Sequence, residues 1–356
     1  MAAILWNRKP SNNRPQDPPK PYSYHSEDVK FQNTKANVTL AGTLTLPSKE
    51  GNYPAVILIT GSGAQNRDAE FFGHKPFLVI SDYLTKNGVA VLRYDDRGFG
   101  QSTGDFISAT PLDFASDVES AISYLKTRKE INKNKIGLVG HSEGGIVAPI
   151  VASSSEDVNF IVLLAGLGIQ GNKALMQQSE FNLKTSGASE SEIQETKEIN
   201  AGIAEIFAKH QNTEGLKVDI TKYIQKNVKA IPTYLKPTGI TKEQFLAGQI
   251  EFISSPSYQF IWTYDPAPTL EKVSCPVLAL NGEKDLQVLP KENLEAISNA
   301  LKKGNNENVT IKELPNLNHF FQESKTGSPV EYASIEQTFS PTALEEISNW
   351  ILKQVK

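Results

Sequence analysis

The sequence predicts an α/β fold in which a mainly parallel sheet carries helices on both faces. Continuous apolar segments of strand length alternate with amphipathic helical segments, which is the pattern of strands that are buried on both faces. One strand, at 135–141, turns through a serine with nearby glycines on both sides into an apolar helix. With 356 residues, of which 39% are hydrophobic, the chain has enough apolar side chains for a large core.

Proline dominates the start of the chain. Residues 8–22 are rich in Pro, Asn, Arg and Lys. Because proline blocks regular helix, residues 1–26 are predicted to form an extended, mobile arm. Apolar and polar residues then alternate at 29–33 and 38–47, which predicts an antiparallel hairpin at an edge of the sheet.

The parallel part of the sheet follows the hairpin. Further strands are predicted at 55–60, 89–94, 135–141, 160–165, 276–280 and 309–314, with helices near 75–87 and 111–129. The alternation breaks after Gly168, and segments with helical periodicity follow near 172–185, 189–210, 215–229 and 241–254. The sequence therefore predicts a core made of residues 27–168 and 269–356, and a helical cap inserted at 169–268.

Composition and charge exclude several kinds of partner. The net charge is −4, and no run of Lys and Arg with interleaved aromatics appears, so no nucleic acid partner is expected. The longest apolar stretches have the length of strands, so no membrane insertion is expected either. The segment 1–8 lacks the apolar core of a signal peptide. The compartment stays open, cytoplasmic by default and exported if the N-terminus has been trimmed, and so does the oligomeric state.

The cysteine and histidine content predicts neither a disulfide nor a metal site. Cys275 is the only cysteine, so it has no internal partner, and its place at the start of an apolar strand indicates a buried hydrophobic residue. No group of cysteines and histidines has the spacing of metal ligands. No bound metal is therefore expected.

Ser142 is the candidate nucleophile. It lies two residues from Gly140 and two from Gly144, where the absence of a Cβ lets main chains pass closely in a strained strand-to-helix turn. The apolar helix that follows directs its positive N-terminal end toward the serine, where an oxyanion is stabilised. For the motif by itself, a structural glycine turn is the alternative.

His319 is the candidate base that accepts the serine proton. Histidine suits this role because its ordinary pKa lies near neutral pH. His319 follows the last predicted strand, at the edge of the sheet where the serine emerges. The other histidines lie in the arm, at helix ends, or beside the serine in a turn that directs the side chain away: His25, His74, His210 and His141. A solvated loop histidine is the alternative for His319.

A carboxylate is needed to fix the tautomer of this histidine and to stabilise the imidazolium. The strand at 276–280 leads into a loop that carries two carboxylates at the correct edge, Glu283 and Asp285. We assign Asp285, and Glu283 remains the rival. The chain order Ser142, Asp285, His319 is the order expected of this architecture.

The oxyanion requires two hydrogen-bond donors. One is expected to be the backbone N–H of Glu143, directly after the serine. The second is expected from the glycine loop at 60–64, where Ser62 is the first choice and Gly63 the second. The glycines of this loop are equally compatible with a plain turn. Beyond the loop, Arg67 is a candidate contact for an acidic group of a substrate.

Taken together, residues 27–356 resemble the α/β-hydrolase superfamily, and more narrowly its bacterial cap-bearing esterases, the serine-aminopeptidase-like or prolyl-oligopeptidase-like hydrolases. The resemblance depends on a glycine loop, a charged turn, the elbow and two single residues: Gly61-Ser62-Gly63, Asp95-Asp96-Arg97-Gly98, Gly140-His141-Ser142-Glu143-Gly144, Asp285 and His319. It implies an α/β-hydrolase fold of eight strands, a helical lid inserted after the sixth, and hydrolysis through an acyl-enzyme without a cofactor. Many esterases carry His-Gly-Gly-Gly where this chain has Thr60-Gly61-Ser62-Gly63, so the second donor stays open.

The resemblance implies a serine hydrolase whose substrate is a small carboxylic ester, with a short-chain acyl or an aryl group. In this reaction Ser142 attacks the ester carbonyl while His319, oriented by Asp285, accepts its proton. A peptidase or a thioesterase that uses the same three residues is the nearest alternative. A catalytically inert interaction module with this fold is the alternative of another class.

Overall fold

The computed structural model describes residues 13–185, 187–210, 213–228 and 241–356. The strands are β1 (His25–Asn33), β2 (Val38–Leu46), β3 (Tyr53–Ile59), β4 (Ala90–Tyr94), β5 (Ile131–His141), β6 (Phe160–Leu164), β7 (Val277–Gly282) and β8 (Val309–Leu314). Within these residues they form one sheet of eight strands in the order β1-β2-β4-β3-β5-β6-β7-β8. The pairs β1–β2 and β2–β4 are antiparallel, and the other neighbours are parallel. The predicted fold class and the predicted edge hairpin are confirmed.

Helices lie on both faces of this sheet. Those that cover it are α1 (Pro76–Lys86), α2 (Pro111–Thr127), α3 (Gly144–Ala152), α10 (Pro290–Lys303) and α11 (Pro341–Gln354). The helices between β6 and β7 are α4 (Gly171–Thr185), α5 (Glu190–Lys209), α6 (Thr213–Asn227), α7 (Lys242–Ile253), α8 (Pro256–Thr263) and α9 (Ala267–Leu270). Among the described helices, none combines the length and the apolar sequence needed to cross a bilayer.

The core of the protein consists of two apolar layers, one on each face of the sheet. Successive side chains of a strand point to opposite faces, and Ile57 accordingly packs with α2, α3 and α10, whereas Val56 and Leu58 pack with α1 and α11. Every residue of β4 and of β6 is buried. The continuous apolar runs in the sequence are therefore explained by burial on both faces, and the loops at the strand ends start from a fixed framework.

The helices between β6 and β7, which we call the cap, have a separate core. Apolar side chains from α5, α6, α7 and α8 meet there: Ile203, Phe207, Leu216, Ile220, Ile224, Ile250 and Trp262. A smaller cluster joins α8 to α3 through Phe260, Ile261 and Ile146. The sequence predicted helices for α4 to α7 but not for α8 and α9, which are too short to show helical periodicity. The end of the helix predicted at 215–229 lies outside the described residues.

The described part of the N-terminal arm lies against the body of the protein. The side-chain amide of Gln16 donates to the carbonyl of Phe339, and its oxygen accepts from the backbone amides of Thr338 and Phe339. Arg14 donates to the carbonyl of Phe72 at 2.6 Å. Arg14 and Gln16 thus attach this part of the arm to the body, and residues 1–12 of the predicted arm lie outside the described part of the chain.

Candidate active site

Ser142 lies at the turn between β5 and α3. Its φ of 54° is in the left-handed region, which is strained for a residue other than glycine. A Cβ at Gly140 would lie 2.0 Å from the carbonyl oxygen of Gly144, and a Cβ at Gly144 would lie 2.3 Å from that of Ile59. Main chain therefore packs directly on main chain around the serine, which is why glycine is needed at both positions.

His319 and Asp285 form a buried pair. Nδ1–H of His319 donates to Oδ2 of Asp285 at 2.8 Å, and the two residues are only 3% and 1% exposed. The other carboxylate oxygen of Asp285 accepts from the backbone amides of Gln287 and Val288, at 2.8 and 2.9 Å. These bonds fix the orientation of the carboxylate, and the carboxylate fixes the tautomer of the histidine with the proton on Nδ1.

The loop that carries His319 is tied to the elbow by His141. Nε2–H of His141 donates to the carbonyl oxygen of His319 at 3.0 Å, and the centroids of the two rings lie 4.9 Å apart. Burial is the main cause that lowers the pKa of His141, to about 3, so this ring is neutral near pH 7. In the described part of the chain, no hydrogen bond joins Oγ of Ser142 to Nε2 of His319, a contact that often tightens only when substrate binds.

The glycine loop after β3 lies beside the serine. A Cβ at Gly61 would lie 3.2 Å from the Cβ of Ser142, so this loop passes within van der Waals distance of the nucleophile candidate. Among the described residues, the backbone amides of Glu143, Ser62 and Gly63 make no backbone hydrogen bond. Each is thus free to donate to a bound oxygen, and the choice between Ser62 and Gly63 stays open.

The carboxyl group of Glu143 is buried under the cap. Glu143 is 6% exposed, and one of its carboxyl oxygens accepts from the hydroxyl of Ser257 in α8 at 3.0 Å. Burial raises the pKa of Glu143 above its ordinary value, while the neighbouring hydroxyls of Ser62 and Ser257 act in the opposite direction. This side chain thus contacts both the glycine loop and the cap.

A second buried carboxylate, Asp96, holds the two ends of the glycine loop. The hydroxyl of Thr60 donates to one of its oxygens at 2.6 Å, and the backbone amide of Gln65 donates to the other at 2.8 Å. Burial raises the pKa of Asp96 from 3.8 to about 7. Its neighbour Arg97 pairs with Asp117 at 2.7 Å. The charged turn after β4 therefore makes its hydrogen bonds and ion pairs inside the protein.

Two of the residues proposed from the sequence make hydrogen bonds with other parts of the protein. Arg67 makes a two-pronged ion pair with Asp95, at 3.0 and 2.9 Å, and its third nitrogen donates to the carbonyl of Gly42. Its guanidinium donors are used within the protein, so we do not carry it forward as a substrate contact. Glu283, the rival of Asp285, is exposed and accepts from the backbone amide of Asn316.

Sequence reasoning missed three contacts at this site. They are the tether from His141 to the loop of His319, the approach of Gly61 to Ser142, and the carboxyl group of Glu143 in the space under the cap. Only Glu143 gave a signal that could have been noticed: a charged residue at the start of an otherwise apolar helix. An acidic residue there has to be partnered when it is buried.

Comparison with known proteins finds similarity in sequence and in fold. Residues 76–200 match the model of a family described as serine aminopeptidase, S33. Esterase EstD of Thermotoga maritima is 25% identical over 339 residues, which cover 94% of this chain and 69% of that protein. The matched family segment contains the elbow, and the match to EstD spans nearly the whole chain.

Solved structures share the arrangement of strands and helices. An esterase of Pyrococcus furiosus superposes with a TM-score of 0.56 at 17% identity, over 95% of this chain and 94% of that one. The α/β hydrolase GrgF of a Penicillium species superposes with a TM-score of 0.58 at 17% identity, over 93% of this chain and 98% of that one. At these identities the similarity is one of fold.

Proposed function

Because this chain belongs to the α/β-hydrolase superfamily, we propose that it is a serine hydrolase that cleaves small carboxylic esters through an acyl-enzyme. The hydrogen bond between buried His319 and Asp285, in a loop tied to the elbow of Ser142, carries the proposal. The nearly full-length similarity to a protein named as an esterase supports ester over amide substrates. Short-chain acyl and aryl esters are the proposed substrates.

In the proposed reaction, Oγ of Ser142 attacks the ester carbonyl carbon and its proton passes to Nε2 of His319. The negative charge moves to the carbonyl oxygen, where the amide of Glu143 and that of Ser62 or Gly63 donate to it. The intermediate then collapses, and the alcohol leaves with the proton from His319. Water, deprotonated by His319, attacks the acyl-enzyme and releases the acid. Asp285 stabilises the imidazolium in both halves of the reaction.

The test is the loss of turnover and of covalent labelling when the serine hydroxyl is removed. Ser142→Ala should lower the rate on a p-nitrophenyl ester by roughly 10⁴-fold or more and should abolish labelling by a serine-directed phosphonate. Ser120→Ala is the control, since that hydroxyl only bonds a carbonyl within α2. Persistent turnover in Ser142→Ala, or a wild-type protein that takes no phosphonate label, would contradict the proposal.

The class of bond that is cleaved needs a separate comparison. We expect kcat/KM to be higher for p-nitrophenyl esters of short acids than for the matched thioesters or for aminoacyl anilides. Purified protein assayed on the three series at one pH checks this expectation. A preference for the anilides would favour a peptidase with the same nucleophile, and a preference for the thioesters would favour a thioesterase.

A further inference from the structure

The side chain of Glu143 has no part in the proposed chemistry, which uses only its backbone N–H. Nevertheless its carboxyl group is buried beside the nucleophile candidate. Burial of a carboxyl group costs free energy unless hydrogen bonds replace those it made with water. The contacts that replace them here lead to two different parts of the molecule.

The first contact leads to the cap. Ser257 lies in the first turn of α8, 114 residues along the chain from Glu143, and its hydroxyl donates to the carboxyl group at 3.0 Å. One turn further on, Phe260 and Ile261 of α8 pack with Ile146 of α3. Helix α8 is therefore attached to the elbow helix at two points, one polar and one apolar. Tyr258 and Trp262 of the same helix pack in the core of the cap, so α8 connects that core to the elbow.

The second contact leads to the glycine loop. Glu143 lines one small cavity together with Thr60 and Gly61 of that loop, and Ser62 acts to lower the pKa of its carboxyl group. Asp96 holds the loop at Thr60 and Gln65. The side chain of Glu143 therefore lies between α8 and the loop from which the second oxyanion donor is expected.

We propose that Glu143 is a positioning residue whose carboxyl group holds α8 against the elbow of Ser142, beside the glycine loop. The proposal rests on the proposed function, since it gives the cap a defined position relative to the oxyanion donors. It acts through hydrogen bonds rather than through charge. A glutamine at position 143 keeps an oxygen that accepts from Ser257.

Hydrogen exchange of α8 tests the attachment without any substrate. Ser257→Ala and Glu143→Ala should each raise the exchange rate of the amides at 257–264 by roughly tenfold, whereas Glu143→Gln should keep most of the protection. Ser179→Ala is the matched control. It removes a cap serine whose hydrogen bond, with Asn200, stays within the cap.

Ester kinetics test whether the attachment matters for the reaction. We expect Ser257→Ala and Glu143→Ala each to lower kcat/KM by roughly tenfold, and Glu143→Gln to recover most of the loss. The double variant should lose no more than Glu143→Ala alone, because both substitutions break the same bond. Ser179→Ala should match the wild type.

The two proposals fail in different ways. Ser257→Ala alters only an edge of the cap and should fold. Unchanged hydrogen exchange of α8 in this variant would overturn the proposed attachment of α8 to Glu143, even if the protein is an active esterase. Faster exchange with unchanged kcat/KM, or fully additive losses in the double variant, would overturn the positioning role. A wild-type protein without phosphonate labelling would overturn the proposed function, and the exchange result would still decide whether Glu143 holds α8.

Discussion

At the end of β5 main chain packs against main chain, whereas the outer cap helices α5, α6 and α7 meet through side chains. Around the elbow, a Cβ added at Gly140 or at Gly144 would lie so close to a backbone oxygen that no side chain fits there. In the cap, the shared core consists of apolar side chains on amphipathic helices. Side chains that pack on one another tolerate substitution by shifting, but backbone contacts do not. Substitutions in the two regions should therefore have effects of different size and reach.

The largest effect is expected for Gly140→Ala. Its Cβ would lie 2.0 Å from the carbonyl oxygen of Gly144, so β5 or α3 has to move. Because both elements lie in the main core, we expect a loss of about 4 kcal/mol or more in the free energy of unfolding, seen as loss of soluble protein or of cooperative unfolding in denaturant.

Gly248→Ala is the matched substitution in the cap. Gly248 lies in α7 with no atom within 4 Å of the added Cβ, so alanine should stabilise the helix by up to about 1 kcal/mol. Opposite signs for the same chemical change would support the contrast between the two regions. A Gly140→Ala protein as stable as the wild type would contradict this difference between the two regions.

A local effect is expected for Trp262→Ala in the core of the cap. Trp262 is 8% exposed, and its ring stacks on Phe207 with centroids 4.7 Å apart. Loss of a buried Trp side chain costs about 3–5 kcal/mol. We expect faster hydrogen exchange in α5, α6 and α7 and no change in β5. Phe252→Ala, at a residue that is 51% exposed, is the control and should change little. A uniform rise in exchange over cap and sheet would show that the two cores unfold together.

The same contrast explains which features of the fold and of the site could be predicted from the sequence. The elbow was predictable because close backbone contact allows only glycine at positions 140 and 144. This requirement appears directly in the sequence as Gly140 and Gly144. Asp285 and His319 each follow a strand, so the order of elements was enough to bring them to one edge of the sheet. The fold class followed from apolar strands that are buried on both faces.

Contacts that depend on how separate elements dock were not predictable. Ser257 and Glu143 meet because α8 packs on α3, and no local pattern encodes that packing. Arg67 is paired with Asp95, which directly follows β4, and in the sequence it looked like a free cation near the site. In both cases the partner is chosen by tertiary structure, which a single sequence does not display.

The last of the expected effects depends on pH and concerns the edge of the sheet, where a fixed framework keeps a carboxyl group buried. The pKa of Asp96 is raised from 3.8 to about 7, mainly by burial; hydrogen bonds from Thr60 and Gln65 act to lower it, and the nearby carboxylates Glu143 and Asp117 act to raise it. The folded protein therefore binds this proton more tightly than the unfolded chain. The stabilisation is complete below about pH 4 and is lost as the pH rises through about 7. Asp96→Asn should remove this loss, so relative to the wild type it should gain about 2 kcal/mol in the free energy of unfolding between pH 5 and pH 8.

Asp95, the preceding residue, provides the control because its pKa moves in the other direction. Burial acts to raise the pKa of Asp95, but hydrogen bonds from Arg67 and from backbone amides outweigh it, and the pKa lies below its ordinary value. Its stabilising contribution is present above about pH 4, so Asp95→Asn should cost the same free energy at pH 5 and at pH 8. Urea unfolding of the wild type and both variants at the two pH values measures the difference. If Asp96→Asn shows the same offset from the wild type at both pH values, then Asp96 is ionised throughout this range, and the edge of the sheet is better solvated than its packing indicates.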